Sequence, residues 1–108
     1  MNESDWKIFK KIKEKAIEKY CSESVKEIQE IIDKKQSNSH EKFLLLYRIS
    51  KNRYEQFALI FGDHSRSKAL LQLIAIRGQD LADQALVNEL SEELKNKTDP
   101  NNSGWNNA

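Results

Sequence analysis

Helix-breaking residues are scarce in this chain: proline appears once and glycine three times in 108 residues. With so few missing N–H donors and flexible backbone positions, long uninterrupted helices are permitted. Cysteine is scarcer still. The single Cys21 excludes an internal disulfide and fits a reducing compartment, so a cytoplasmic location is expected. Long apolar runs are missing as well. No stretch approaches the roughly 18–20 residues of a membrane span, and the opening MNESDWKIFKK has no apolar core of a secretory signal. No membrane partner is expected, and the sequons at Asn96 and Asn101 are read as accidental.

The chemistry-bearing motifs are missing too. No glycine-rich loop follows a strand pattern, and neither His-Glu-x-x-His nor Cys-x-x-Cys spacing occurs, which argues against nucleotide cradles and zinc sites of the common kinds. Nucleophilic catalysis would have to be assembled from Cys21, His40 and His64, and Cys21 lies on an apolar helical stripe where cysteine acts as a small core residue. Carboxylate pairs such as Glu92 with Glu93, or Glu27 with Glu30, fall on solvated helix faces. The expectation is a non-enzymatic protein with no catalytic residues, no metal and no cofactor.

What is present favours helices. Lys, Glu, Leu, Ile, Ala and Gln dominate, with 38% hydrophobic and 32% charged residues, and the length suits one domain. Residues 1–97 are expected to form it, and residues 98–108 a disordered tail in which Trp105 has no apolar neighbours. Phe9, Ile12, Ala16 and Tyr20 recur at helical steps. From Cys21 onward the apolar set becomes Cys21, Val25, Ile28 and Ile32, about 120° around the helix from the first stripe, far beyond the ~20° drift per heptad of an ordinary helix. Either a second helix begins at Ser24, whose spacing from Glu27 suits a capping box, or Ser4 to Lys35 is one rod of about 45 Å. The absence of glycine and proline favours the rod.

Asn38 and Glu41 have capping-box spacing for the next helix. Phe43, Leu44, Tyr47, Tyr54, Phe57, Ala58 and Phe61 make it the expected centre of the bundle, with Tyr47 and Tyr54 in the core. It should stop at Gly62, in the left-handed conformation. Asp63 or Ser65 can cap a third helix, nearly apolar all round from Ala69 to Ile76 and ended by Gly78. Leu81, Ala82, Ala85, Leu86, Leu90 and Leu94 mark a fourth, divided at Ser91 if that residue caps a final turn. The fold expected is all-α, a bundle of four or five helices with a long N-terminal helix.

The segments HEKFLLLYR and FGDHSRSKALLQL resemble a family of short, uncharacterised all-helical bacterial proteins with an Arg-Ser-x-Ala-Leu-x-Gln-Leu helix, over about residues 5–95. A single Arg66 stands here where that pattern carries an arginine pair. The resemblance implies a helical fold and brings no established activity.

Charge is uneven although the net is +1. Trp6 to Tyr20 holds six Lys against two Glu, and Gln79 to Asp99 holds six acids against two Lys. Three candidate surfaces follow. The stripe Cys21, Val25, Ile28 and Ile32 cannot be covered by the same bundle that covers Phe9 to Tyr20, so it is offered to a protein partner, a homodimer included. Lys7, Lys11, Lys15 and Lys19 form a basic stripe that could follow phosphates. His64, Ser65, Arg66 and Lys68 crowd a helix start, where the helix dipole favours anions rather than cations. An external phosphate or carboxylate could answer them. The preferred answer is internal: Asp63 and the acidic fourth helix, with Asp80, Asp83 and Glu89, supply the anions, and Arg66 forms a clamp between helices. The leading function is protein–protein interaction, and the alternative is nucleic-acid or other polyanion binding through the two basic surfaces.

Overall fold

The structure is a computed structural model and describes residues 1–35 and 38–102. The expectation for Trp105 and most of the tail lies outside the described residues. The chain is all-α: α1 (Glu3–Asp33), α2 (Ser39–Phe61), a 3₁₀ turn (Arg66–Lys68), α3 (Ala69–Gly78), α4 (Gln84–Asn88) and α5 (Glu92–Lys97). Among the described residues there is no strand.

The rod is continuous. Asn2 accepts the Asp5 N–H at 2.7 Å to cap α1, and Glu3 and Asp5 sit in its first turn, where the dipole favours acids. Ser24 caps nothing. It is buried, and its hydroxyl donates to the Tyr20 carbonyl one turn back at 2.8 Å. Glu27 is drawn away to Arg53 of α2, so neither half of the alternative capping box is available. At the far end α1 has no base in its last turn; Lys42 of α2 supplies one by donating to the Ile32 and Lys34 carbonyls.

Asn38 caps α2 as its spacing requires, accepting the Glu41 N–H at 2.8 Å. α2 then returns antiparallel to α1. The two form a hairpin, and the remaining elements gather at its open end. There Phe9, Ile12, Ala16 and Tyr20 of α1 meet Ile60 and Phe61 of α2, Ala69, Leu73 and Ile76 of α3, and Leu81, Val87, Leu90 and Leu94. Tyr20, Phe57 and Phe61 interlock there, with Tyr20 edge-on to Phe61 at 5.9 Å between ring centres.

α2 is therefore not the centre of the bundle. Only Ile60 and Phe61 of it are buried, while Phe43, Tyr47 and Tyr54 stand exposed. The reason is length. α3 has ten residues, about 15 Å, against about 35 Å for the 23 residues of α2, and α4 and α5 are shorter still. No described helix after Gly62 is long enough to follow α2 back to its start. α3 is not enclosed all round either: Leu70 and Leu71 face outward. The result is a head with a protruding hairpin, 53 Å long with a radius of gyration of 16.8 Å, against ~13 Å for a compact chain of this length.

The turns differ from expectation in informative ways. Gly62 has φ −71°, not left-handed; it is needed because a Cβ there would meet the Ala58 carbonyl oxygen. The left-handed residue is Asp80, φ 57°, which closes α3 in a Schellman motif: Asp80 N–H to Arg77 O at 3.1 Å and Leu81 N–H to Ile76 O at 3.0 Å. The fourth helical segment is divided at Ser91. Asp83 caps α4 and Ser91 caps α5, and the Ser91 N–H and hydroxyl both donate to the buried Asp5 carboxylate of α1, at 2.9 and 2.6 Å. Arg77 closes α5 by donating to Lys95 O and Thr98 Oγ1 at 2.6 and 2.9 Å. Thr98 is fully buried, so the packed body runs past residue 97.

Candidate association surface

The protruding hairpin has two kinds of face, and the sequence spaces them one residue apart. On α1, Tyr20, Ser24 and Ile31 are buried and Glu27 pairs with Arg53, which sets the seam toward α2. The next residue in each case, Cys21, Val25, Ile28 and Ile32, makes a second seam with steps of four, three and four. On α2, Lys42, Leu46, Ile49 and Arg53 are half-buried against α1, and the residues that follow, Phe43, Tyr47, Ser50 and Tyr54, are exposed. Again the steps are four, three and four, the 3.5-residue period of helices that pack side by side.

The two outer seams share one face. Cys21, Val25 and Ile28 form one wall of a groove of about 290 Å³, and Ser50, Tyr54 and Phe57 the other. By register, Ile32, Phe43 and Tyr47 continue the same walls toward the hairpin tip. Val25 is 64% exposed, Tyr47 64%, and Phe43 and Tyr54 71% each. The groove floor is tied together by polar contacts. Tyr20 donates its hydroxyl to the Arg53 carbonyl at 2.8 Å, the Arg53 guanidinium lies 5.7 Å over the Tyr20 ring, and Arg53 Nε donates to Glu27 Oε2 at 2.9 Å. That bond to Glu27 raises the Arg53 pKa above the ordinary arginine value. Cys21, expected as a small core residue, is exposed on this face, whereas Ile28 is half-buried.

The crowded turn at residues 64–68 finds its negative groups within the chain, from an unexpected source. Arg66 donates to Glu3 Oε2 at 3.0 Å and to the Met1 carbonyl at 3.1 Å, and lies 5.3 Å over the Trp6 ring. Its partner is thus the start of α1; Asp80, Asp83 and Glu89 of the acidic segment are not used. Ser65 caps no helix through its side chain; its N–H donates to Asp63 Oδ1 at 2.7 Å. The Asp63 carboxyl is held below its ordinary range by hydrogen bonds from Ser65 and then by nearby Lys68 and Lys13. His64 accepts at Nδ1 from Lys13 Nζ, 3.1 Å away, and Lys13 also donates to the Asp63 carbonyl at 2.9 Å, beside the Gln72 amide. Burial lowers the Lys13 pKa against the pull of Asp63.

The basic stripe is partly claimed in the same way. Lys15 pairs with Asp83 at 3.1 Å and Lys19 donates to the Asp80 carbonyl at 2.7 Å, so the α3–α4 connection lies along the stripe. Lys7 and Lys11 make no ion pair or hydrogen bond with a described residue. The Asp83 carboxyl is lowered first by the Leu86 N–H it caps and then by Lys15. His40 is exposed in the first turn of α2. Among the described residues, no three His, Cys, Asp or Glu side chains converge as a metal site would need, and no helix is long and apolar enough to cross a membrane.

Sequence reasoning found the α1 half of the apolar face and missed the α2 half. Phe43, Tyr47 and Tyr54 read as core residues because periodicity shows which side is apolar and not what covers it; the one-residue offset between the two seams is the available signal. Comparison of the chain with known protein families, with curated proteins and with solved structures returns no match.

Proposed function

We propose that this chain is a small, non-enzymatic helical interaction protein of the cytoplasm, and that the outer face of the α1–α2 hairpin is its association surface. The observation that carries this is the pair of heptad-spaced outer seams, with Cys21, Val25, Ile32, Phe43, Tyr47 and Tyr54 exposed and Ile28 half-buried, which meet in an apolar groove lined by Cys21, Val25, Ile28, Tyr54 and Phe57. Monomeric proteins seldom leave apolar patches beyond a few hundred Å² uncovered. Two ordered stripes supply steric register as well as area. The lone thiol at Cys21 supports a reducing compartment, and the Arg-Ser-x-Ala-Leu-x-Gln-Leu helix supports kinship with the short bacterial helical family it resembles.

The test is light scattering after size exclusion over a range of protein concentration, at low and high salt, with and without mixed nucleic acid. Association through this face gives a mass above one chain that survives high salt, and Val25→Asp or Tyr54→Asp returns it to one chain with helicity intact. A single-chain mass under every condition overturns the reading. Mass gained only with nucleic acid and lost as salt rises transfers the function to the polyanion alternative at Lys7, Lys11 and the turn from His64 to Lys68.

A further inference from the structure

The offset between the seams says how many helices are missing. Consecutive residues of an α-helix point about 100° apart. In α1 the inner seam (20, 24, 27, 31) and the outer seam (21, 25, 28, 32) differ by one residue throughout; in α2 the same holds for 42, 46, 49, 53 and 43, 47, 50, 54. Each helix therefore has one neighbour and a second apolar direction about 100° away. A single helix laid in the groove makes a triangle, whose neighbour directions are about 60° apart, whereas a square four-helix bundle asks for about 90°. The face fits a second hairpin better than a single helix.

Charge says which hairpin. Residues 22–33 of α1 carry Glu23, Glu27, Glu30 and Asp33 against Lys26, a net of −3; residues 39–54 of α2 carry Lys42, Arg48, Lys51 and Arg53 against Glu41, a net of +3. Glu27 and Arg53 pair within the hairpin, which leaves −2 on α1 and +2 on α2; the hairpin is thus an acidic rod beside a basic one, and the rods complement each other when each α1 lies against the α2 of a second copy. Val25, Ile32, Phe43, Tyr47 and Tyr54 leave on the order of 600 Å² of surface exposed per chain, most of it apolar. With its polar rim, this reaches the range of about 800 Å² per partner found in stable specific interfaces.

We infer that the occupant of the face is a second copy of this chain, packed with its two-fold axis parallel to the helices, so that the two hairpins complete an antiparallel four-helix bundle. This rests on the face being an association surface and goes further by fixing the partner and its direction. The other two-fold arrangement, with the axis across the helices, sets α1 against α1 and α2 against α2, like charge on like. The orientation has a consequence at long range: both tips lie at one end of the assembly and both heads at the other.

The experiment combines mass with a spin-label distance on the full chain carrying Lys7→Cys and Cys21→Ser. Lys7 is exposed on α1 within the head. Heads at the same end keep the two labels within about 30 Å, because the two α1 axes stand about 14 Å apart on the diagonal of the bundle, whereas heads at opposite ends place them about 60 Å apart, from the 1.5 Å rise per residue and a helix diameter of ~10 Å. A two-chain mass with the short distance supports the inference. A two-chain mass with the long distance, or any larger mass, overturns it while leaving the association surface standing; a one-chain mass of the unsubstituted chain removes both. Lys51→Glu gives a second readout that does not depend on the labels. It weakens the dimer at least tenfold if α2 faces the partner's acidic α1, and tightens it if α2 faces α2, with the circular dichroism of the monomer as the folding control.

Discussion

Asp5 and Lys13 are charged residues taken into the body at 4% and 8% exposure, and the protein treats them differently. Asp5 is fully employed: both carboxylate oxygens accept from Ser91, whose hydroxyl also caps α5. Asp5→Ala strands those two donors and is expected to cost about 1–3 kcal/mol, read as a lower midpoint in urea. Lys13 gains a carbonyl and an imidazole in exchange for water, and burial outweighs the pull of the Asp63 carboxylate, so its pKa falls below the ordinary 10.5. A lysine depressed in the folded state binds fewer protons there than in the unfolded chain, so its contribution to stability rises with pH across the alkaline window below 10.5. Lys13→Met is expected to flatten that rise, measured as the urea midpoint between neutral pH and that limit. These two roles were hidden in the sequence. Spacing marked Lys13 as one of six similar lysines, and nothing local distinguishes Glu3 from the acids of the fourth segment as the partner of Arg66, 63 residues away.

At the scale of elements, boundaries were more legible than neighbours. Asn38 caps α2 where its spacing from Glu41 requires, Ser91 caps the final helical turn, and the missing glycine and proline kept α1 whole, because caps and breakers act within a few residues. Tyr47 and Tyr54 were misplaced because their burial depends on whether a helix 30 residues onward is long enough to reach them. The glycines separate the same two kinds of information. Gly78 ends α3 with negative φ and open space around it, so Gly78→Ala is expected to stabilise by about 0.5–1 kcal/mol. Gly62→Ala drives a methyl at the Ala58 carbonyl and is expected to destabilise, with the α2 end fraying first. Thermal melts of the pair should move in opposite directions.

For the molecule as a whole, the head and the hairpin are stabilised by different means. The head owns its core; the hairpin tip is held by Arg53, Glu27, Lys42 and a single apolar seam. If a second copy covers the tip, the apparent melting temperature must rise with protein concentration, because only the folded state binds. Hydrogen exchange should show the same dependence in residues 24–33 and 39–50 and none in α3. Val25→Asp is expected to abolish both dependences while leaving the melting of the dilute protein within about 2 °C, since that side chain already faces solvent.

The bond from Ser91 to Asp5 has a further consequence for a chain made from one end. α1 leaves the ribosome before Ser91, carrying Asp5 with nothing to hold, and its first turn is secured only when residues more than eighty positions later have emerged. Until then, the longest helix is present without its anchor, and a nascent chain stopped short of Ser91 should remain open to proteolysis at its beginning.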